Sequence, residues 1–309
     1  MRFAPWTLIA ALPLLCGSLC LTTLAADADS ESSPQKHLLR YAFSAGEVLE
    51  YAVEKESTID VQVGDAAGKV QHSSNSGKRY RILSVDENGS AELEVKIEFV
   101  VLKAQNGGTK YEWDSRLEEA PPDAFKGVQE TIGRPLGKVR VSPTGDIVSL
   151  SFNQKSGEIT EPGALPNDAQ WEVFPMLPKQ PIAVGDTWKE PFEIQIQATP
   201  TLKKGVKMQR MYTLKSVENG RATIDVRTLV LSPIRDPMEE GQLIQRTPHG
   251  TLVLDIDQGR LIERDLRIDN RVVGFQGPQT SLEVVGIRRE SLSSTESTVA
   301  SGDANSRTR

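Results

Sequence analysis

The stretch 90–102, SAELEVKIEFVVL, alternates between apolar and charged side chains from position 91 to position 99. Successive side chains of a β-strand point to opposite faces, so this pattern is typical of a strand with one buried and one solvated face. We expect the apolar side chains to face inward, namely Ala91, Leu93, Val95, Ile97, Phe99 and Val101. The charged side chains, Glu92, Glu94, Lys96 and Glu98, are expected to face water.

Similar signals lie on both sides of this strand. The segment 47–63 shows the same alternation over 17 residues, and a strand of that length is expected to bend or coil. Asn88-Gly89 separates 79–87 from 90–102, and Asn-Gly favours a tight hairpin turn. Asn219-Gly220 has an equivalent position farther along the chain. The sequence therefore predicts antiparallel strands joined by short turns.

Three blocks of sequence recur in the same order. The block that begins at Gly46 resembles the one that begins at Gly185, 79–102 resembles 210–231, and 137–152 resembles 250–266. Ordered recurrence of this kind indicates an internal duplication. The strands predicted for the first copy are 47–63, 79–87, 90–102, 138–142 and 146–152, and those for the second are 187–198, 206–218, 221–232, 250–257 and 260–269.

The predicted fold is mainly β, with two tandem repeats of about five antiparallel strands in a curved sheet, half-barrel or barrel. One or two short helices are expected as insertions. Pro121-Pro122 favours the start of a helix over 122–132 and Gly133 favours its end, and a second helix is expected over 167–174. The predicted segments are a signal peptide (1–26), a flexible lead (27–40), a β repeat with a helical insertion (41–152), a bridge (153–184), a second repeat (185–290) and a disordered tail (291–309).

The N-terminal segment has the features of a secretory signal. Arg2 precedes a nearly continuous apolar run, and Ala25-Ala26 offers small residues for cleavage. A retained anchor is the alternative, because the run of about 17 residues is close to the length of a membrane-spanning helix. We expect an exported protein of the periplasm or cell envelope that is soluble after cleavage.

Composition and motifs exclude several classes of function. The formal net charge is −6 and there is no basic run, which argues against nucleic-acid binding. Nucleotide-binding glycine loops are absent from the sequence, as are closely spaced histidine pairs for zinc. Asp255 and Asp257 precede a glycine turn but lack the remaining ligands of a calcium loop. We therefore predict no cofactor, no metal site and no catalytic residue.

Aromatic residues are the candidates for a binding site. The candidate ligand-binding residues are Phe99, Trp113, Phe125, Trp188 and Phe192. Packing in a filled core and lining of a cavity both account for these side chains. In the second case the helix over 122–132 would cover a gap between the inward faces of the two repeats.

A set of turn and strand-edge motifs resembles an uncharacterised family of exported bacterial proteins. The residues that carry the resemblance are Gly46, Glu47, Leu49 and Tyr51, then Asn88 to Leu93, Asp114-Ser115, Val141 to Gly145, and Leu177 to Trp188. The build is also similar, more loosely, to periplasmic half-barrel lipoprotein carriers. Neither resemblance implies a catalytic residue.

The sequence thus favours a non-enzymatic binding or carrier module for an apolar ligand such as a lipid. The alternative is a structural or protein-interaction module whose interior is filled by its own side chains. The sequence does not identify a partner protein.

The export hypothesis has a direct test. We expect the mature protein to begin at Ala26 or Asp27, because these residues follow the small side chains at the end of the apolar run. N-terminal sequencing of the native protein measures this, and a chain that begins at Met1 would contradict it.

Overall fold

The computed structural model describes residues 34–152, 173–199 and 201–297. The predicted signal segment, most of the bridge with nearly all of the expected helix over 167–174, and residues 298–309 lie outside the described residues. Within the described residues, no helix is long and apolar enough to cross a membrane.

The protein is built mainly of antiparallel strands. Those of the main sheet are β2 (Glu47–Val63), β3 (Ala66–Val85), β4 (Ala91–Asn106), β5 (Thr109–Asp114), β6 (Pro135–Val141), β7 (Ile147–Phe152), β9 (Thr187–Thr199), β10 (Leu202–Glu218), β11 (Arg221–Val230), β12 (His249–Asp255), β13 (Arg260–Val273) and β14 (Thr280–Ser297). Two short strands, β1 (Lys36–His37) and β8 (Ile182–Ala183), pair with each other. The helical elements are a 3-10 turn (Asp123–Phe125), α1 (Lys126–Gln129) and α2 (Pro237–Leu243).

The strand order across the sheet is β7-β6-β4-β3-β2-β14-β13-β12-β11-β10-β9, and β5 pairs with β4. Strands β2, β3, β4, β6 and β7 form one antiparallel meander, and β9 to β13 form another with the same order. Strand β14 lies between the two sets and pairs with β2 and β13. The described strands thus form one large curved sheet that does not close into a barrel. The prediction of a mainly β fold is confirmed, and of the predicted forms the sheet agrees with the curved sheet. The duplication itself stays a prediction.

Two residues predicted to face inward, Phe99 and Val101, face the other way. The pairing of β3 with β4 shifts register after Ile97, so that Lys78 faces Ile97 while Gly77 faces Phe99. The extra residue is a β-bulge, which reverses the alternation beyond it. The Phe99 ring consequently lies on the outer face against Gly77, where a Cβ would come within 2.6 Å of it, and the Arg116 guanidinium covers the ring at 4.8 Å.

Several elements differ in length from those predicted. Strand β3 begins at Ala66 and pairs with β2 as far as Val63, whereas its first half was not predicted. Strand β14 continues to Ser297, so residues 291–297, which were expected to belong to a disordered tail, are part of a strand; the rest of the expected tail lies outside the described residues. The expected helix over 122–132 contains a 3-10 turn and one short helix.

The segment between β11 and β12, which contains α2, was not predicted as a helical insertion. Asp236 before Pro237 is a helix-start signal that could have revealed it.

The main apolar core occupies one end of the sheet on its inner face. Its fully buried members include Leu49, Tyr80, Leu93, Val139, Tyr212, Leu214, Ile224 and Leu254. Leu39, in the predicted flexible lead, is also fully buried there. Its neighbour Arg40 donates hydrogen bonds to the carbonyl oxygens of Pro178 and Lys179, so this part of the lead is held in place.

The assignment of faces predicts a contrast between two adjacent residues of β4. Leu93→Ala should lower the free energy of unfolding by about 2–5 kcal/mol, because it removes fully buried apolar contacts. Glu94→Gln, on the outer face, should change it by less than about 0.5 kcal/mol. Urea unfolding of the two variants measures both, and equal losses would contradict the assignment.

Candidate functional site

A row of charged and mostly buried side chains crosses the inner face next to the main core. We call it the charged belt, and it consists of Lys55, Lys78, Glu190, Arg210, Arg264, Arg288 and Glu290. These residues occupy inward positions of β2, β3, β9, β10, β13 and β14. Burial of charge costs free energy unless the charges are paired. The ion pairs and hydrogen bonds within the belt therefore determine how much its burial destabilises the fold.

Glu290 is the centre of one part of the belt. Its carboxylate lies 2.6 Å from Lys78 Nζ and 3.5 Å from a guanidinium nitrogen of each of Arg264 and Arg288. Burial raises the pKa of the Glu290 carboxyl, but the positive charges of Lys78, Arg264 and Arg288 outweigh it and hold the pKa at about 2. Glu290 is therefore ionised at neutral pH and shares its charge with three cations.

Glu190 is the centre of the other part. One of its carboxylate oxygens accepts a hydrogen bond from Arg210 Nη1 at 2.8 Å, and the other accepts one from the Tyr212 hydroxyl at 2.5 Å. Burial and the negative charge of Glu190 raise the pKa of Tyr212, which stays protonated and donates. The Arg210 guanidinium lies 4.1 Å from the centre of the Phe192 ring, a favourable cation–π contact.

Beyond the belt, at the other end of the strands, apolar clusters line the flanks of the inner face. The cluster of the first half contains Val100, Leu102, Trp113 and Phe125, with Val128 and Ile132 packed against it. That of the second half contains Ile196, Val206, Met208 and Leu243, with Phe192, Ile194, Val230 and Ile234. A third contains Ile244, Val272 and Val284, with Ile59 and Ile268. The segment between β5 and β6 thus covers the flank of the first half with Phe125, and the segment between β11 and β12 covers the flank of the second half with Leu243.

Cavities lie between these flanks. The first has a volume of about 350 Å³ and is lined by Ser57, His72, Gly286, Phe192 and Ile194, among others. At its floor the central strands place Ser57 between His72 on one side and Gly286 on the other, so two of these three residues are small. A neighbouring cavity of about 590 Å³ shares this floor. Both volumes lie within the range usual for ligand sites.

A third cavity lies on the opposite side of the belt. Its volume is about 350 Å³, and it is lined by Val53, Tyr80, Val95, Ile97, Leu136 and Leu150 together with residues of the belt. Lys55 and Arg288 belong to the walls of both this cavity and the first one. A ligand at these two residues would therefore have apolar space on either side.

The five candidate residues from the sequence are distributed over four places. Trp113 and Phe125 share the flank cluster of the first half, and Phe192 lines the first cavity. Trp188 belongs to the main core, where it stacks on Tyr212 at 5.2 Å and donates a hydrogen bond to the Met176 carbonyl. Phe99 lies on the outer face.

Sequence reasoning missed the belt. A signal was available in the alternation of 47–63. Lys55 and Ser57 occupy positions of the inward-facing series, where they interrupt the apolar residues between Val53 and Ile59. A charge at such a position indicates either a bend toward solvent or a polar site on the inner face.

Potential metal ligands are scattered over the sheet. In the described ranges, no three His, Cys, Asp or Glu side chains are grouped closely enough to hold a metal ion.

Comparison with known proteins identifies a family over part of the chain. Residues 170–259 match a family of unknown function, DUF6263. The expected resemblance to an uncharacterised family is confirmed for that segment. No curated protein matches the chain.

Among solved structures, the fold is similar to that of lipovitellin, in a structure described as "Lipid-protein interactions in lipovitellin", with a TM-score of 0.45 and 12% identity. The match covers 85% of this chain and 27% of that protein. The lipid interaction in that description is a property of lipovitellin.

The Glu290 centre predicts a specific dependence on pH. Its folded-state pKa of about 2 lies below the ordinary 4.5, so the ionised carboxylate stabilises the fold above about pH 4.5 and this contribution is lost as the pH falls toward 2. Glu290→Gln should lower the free energy of unfolding at pH 7 by about 3–5 kcal/mol, because three buried cations lose their shared carboxylate. The variant should also lose less stability than the wild type between these two pH values.

The control is Glu54→Gln on the outer face, where Glu54 pairs with Arg289 in a largely exposed salt bridge. It should cost no more than about 1 kcal/mol. Urea unfolding at several pH values measures all three proteins. If the free energy of unfolding changed with pH equally in the wild type and in Glu290→Gln, the stabilising role of the ionised Glu290 carboxylate would be contradicted.

Proposed function

We propose that the protein is a non-enzymatic binding or carrier module for an apolar ligand of the lipid class, and that it acts after export to the cell envelope. The observation that carries the proposal is the set of cavities on the inner face, of which the first has Phe192, Ile194 and Val284 in its wall and shares with its larger neighbour a floor that includes Ser57 and Gly286. Spaces of this kind are the usual sites of small ligands.

The organisation of the inner face supports binding over a purely structural role. The core at one end is closed by side chains such as Tyr80 and Phe174, whose ring centres lie 5.2 Å apart. Beyond the belt, by contrast, Ser57 and Gly286 stand on the central strands where large apolar side chains would fill the space. Protein interiors that serve only stability are close-packed. A floor of small residues between apolar walls leaves room for an acyl chain.

The proposal is tested with monoolein, an uncharged lipid with one acyl chain. Native mass spectrometry and calorimetric titration should show saturable binding to the full chain. Ser57→Trp should weaken this binding by about tenfold or more, because the indole would occupy the floor that the first two cavities share.

The matched control is Thr251→Trp, which places the same side chain at an exposed position of β12 that pairs with Asp225 and Asp265. It should leave monoolein affinity within about twofold of the wild type. Thermal denaturation establishes that both variants are folded. Absence of saturable binding to the wild type, or equal effects of the two substitutions, would contradict the proposal.

A further inference from the structure

We propose that the ligand carries a single anionic head group, which Lys55 and Arg288 bind at the junction of two cavities. This inference rests on the proposed function and adds the chemical class of the ligand. The acyl chain would then lie in apolar space on one side of the belt, with its head group at the belt.

Two positive charges lie side by side at the junction of the cavities. Lys55 and Arg288 face each other directly across the pairing of β2 with β14, and both point to the inner face. An anion between the two side chains would interact favourably with both charges.

The wall of the first cavity carries an excess of positive charge. Besides Lys55 and Arg288, its wall contains Arg210 and Arg246. Among the described residues of this wall, the one carboxylate is that of Glu56, which lies on the outer-facing parity of β2, because its neighbours Lys55 and Ser57 face inward. Within the belt, five cationic residues accompany two carboxylates, Glu190 and Glu290. The cavity wall is thus complementary to a negative charge.

The two cations differ from the rest of the belt in their accessibility. Lys55 is exposed, whereas Lys78, Arg264 and Glu290 are buried in the closed part of the belt. Arg288 lies between them, with 13% of its side chain exposed and a guanidinium nitrogen 3.5 Å from Glu290. Glu290 therefore holds Arg288 from behind, while Lys55 lies in the cavity walls on the solvent-accessible side.

The test compares three probes with the same acyl chain: monoolein, oleate and oleoyl lysophosphatidylglycerol. Wild type should bind oleate at least about tenfold more tightly than monoolein, since an ionic hydrogen bond contributes that much. The phosphate probe establishes whether the site accepts any monoanionic head group or a carboxylate alone. Preference for either anionic probe over monoolein supports the proposal.

Lys55→Gln should reduce the affinity for the preferred anionic probe by about tenfold and reduce monoolein affinity less, so that the preference for the anion falls. Lys69→Gln is its control, because Lys69 is an exposed residue of β3 that pairs with Asp60 on the outer face. Arg288→Gln should have the same effect as Lys55→Gln. Its control is Arg289→Gln, the next residue of β14, which points to the outer face and pairs with Glu54.

The outcomes separate the two proposals. Equal affinity of wild type for charged and uncharged probes, or unchanged anion affinity in Lys55→Gln, would overturn the anionic head group while the apolar site stands. Failure of all three probes to bind would overturn the proposed function together with this inference. Circular dichroism of each variant identifies a loss of binding that results from unfolding, and Lys55→Gln decides the question if Arg288→Gln does not fold.

Discussion

The pairing of β14 with β2 on one side and with β13 on the other joins the two meanders into one sheet. Without β14 the first strand of one meander and the last strand of the other would run in the same direction, and both would have an open edge. The antiparallel sheet therefore requires an additional strand at this position. It is also the strand that carries Gly286, Arg288 and Glu290, so the central connection of the fold and the candidate site are parts of one segment.

The charged belt separates two regions of the inner face with different packing. On one side, aromatic and aliphatic residues close the core, and Tyr51 even donates its hydroxyl to the Leu261 carbonyl. On the other side, the flanks are apolar but the centre holds small residues. Burial of Glu290 with its three cations is costly and gives little net stability compared with apolar packing. The position of this costly belt at the boundary of open cavities supports the proposed ligand binding.

Sequence alternation was sufficient where a strand keeps its register and has one dry face. The bounds of β2 agree with the predicted 47–63 for this reason. Alternation failed at Phe99, because 99–102 is apolar throughout and either parity would fit it. The first half of β3 was missed because its Ser, Asn and Gly residues have no apolar period, and its pairing with β2 is a long-range property.

The site was predictable only in part for a similar reason. Aromatic content identified the flank residues Trp113, Phe125 and Phe192, since large rings are usually buried somewhere. Lys55 and Arg288 have side chains of a type usually found at protein surfaces, and their proposed role depends on their positions opposite each other on strands that are more than two hundred residues apart in sequence. Such a pair becomes visible when the register between β2 and β14 is known.

Part of the wall of the first cavity lies outside the strands. Gln245, Arg246 and Pro248 line this cavity, and they belong to or directly follow the loop that leads from β11 to its neighbour β12. Substitutions or length changes in this loop can therefore alter the depth and width of the first cavity while the main-chain pairing stays intact. Under the proposed function, proteins that share this sheet can diverge in the size of the acyl chain they admit without a change of fold.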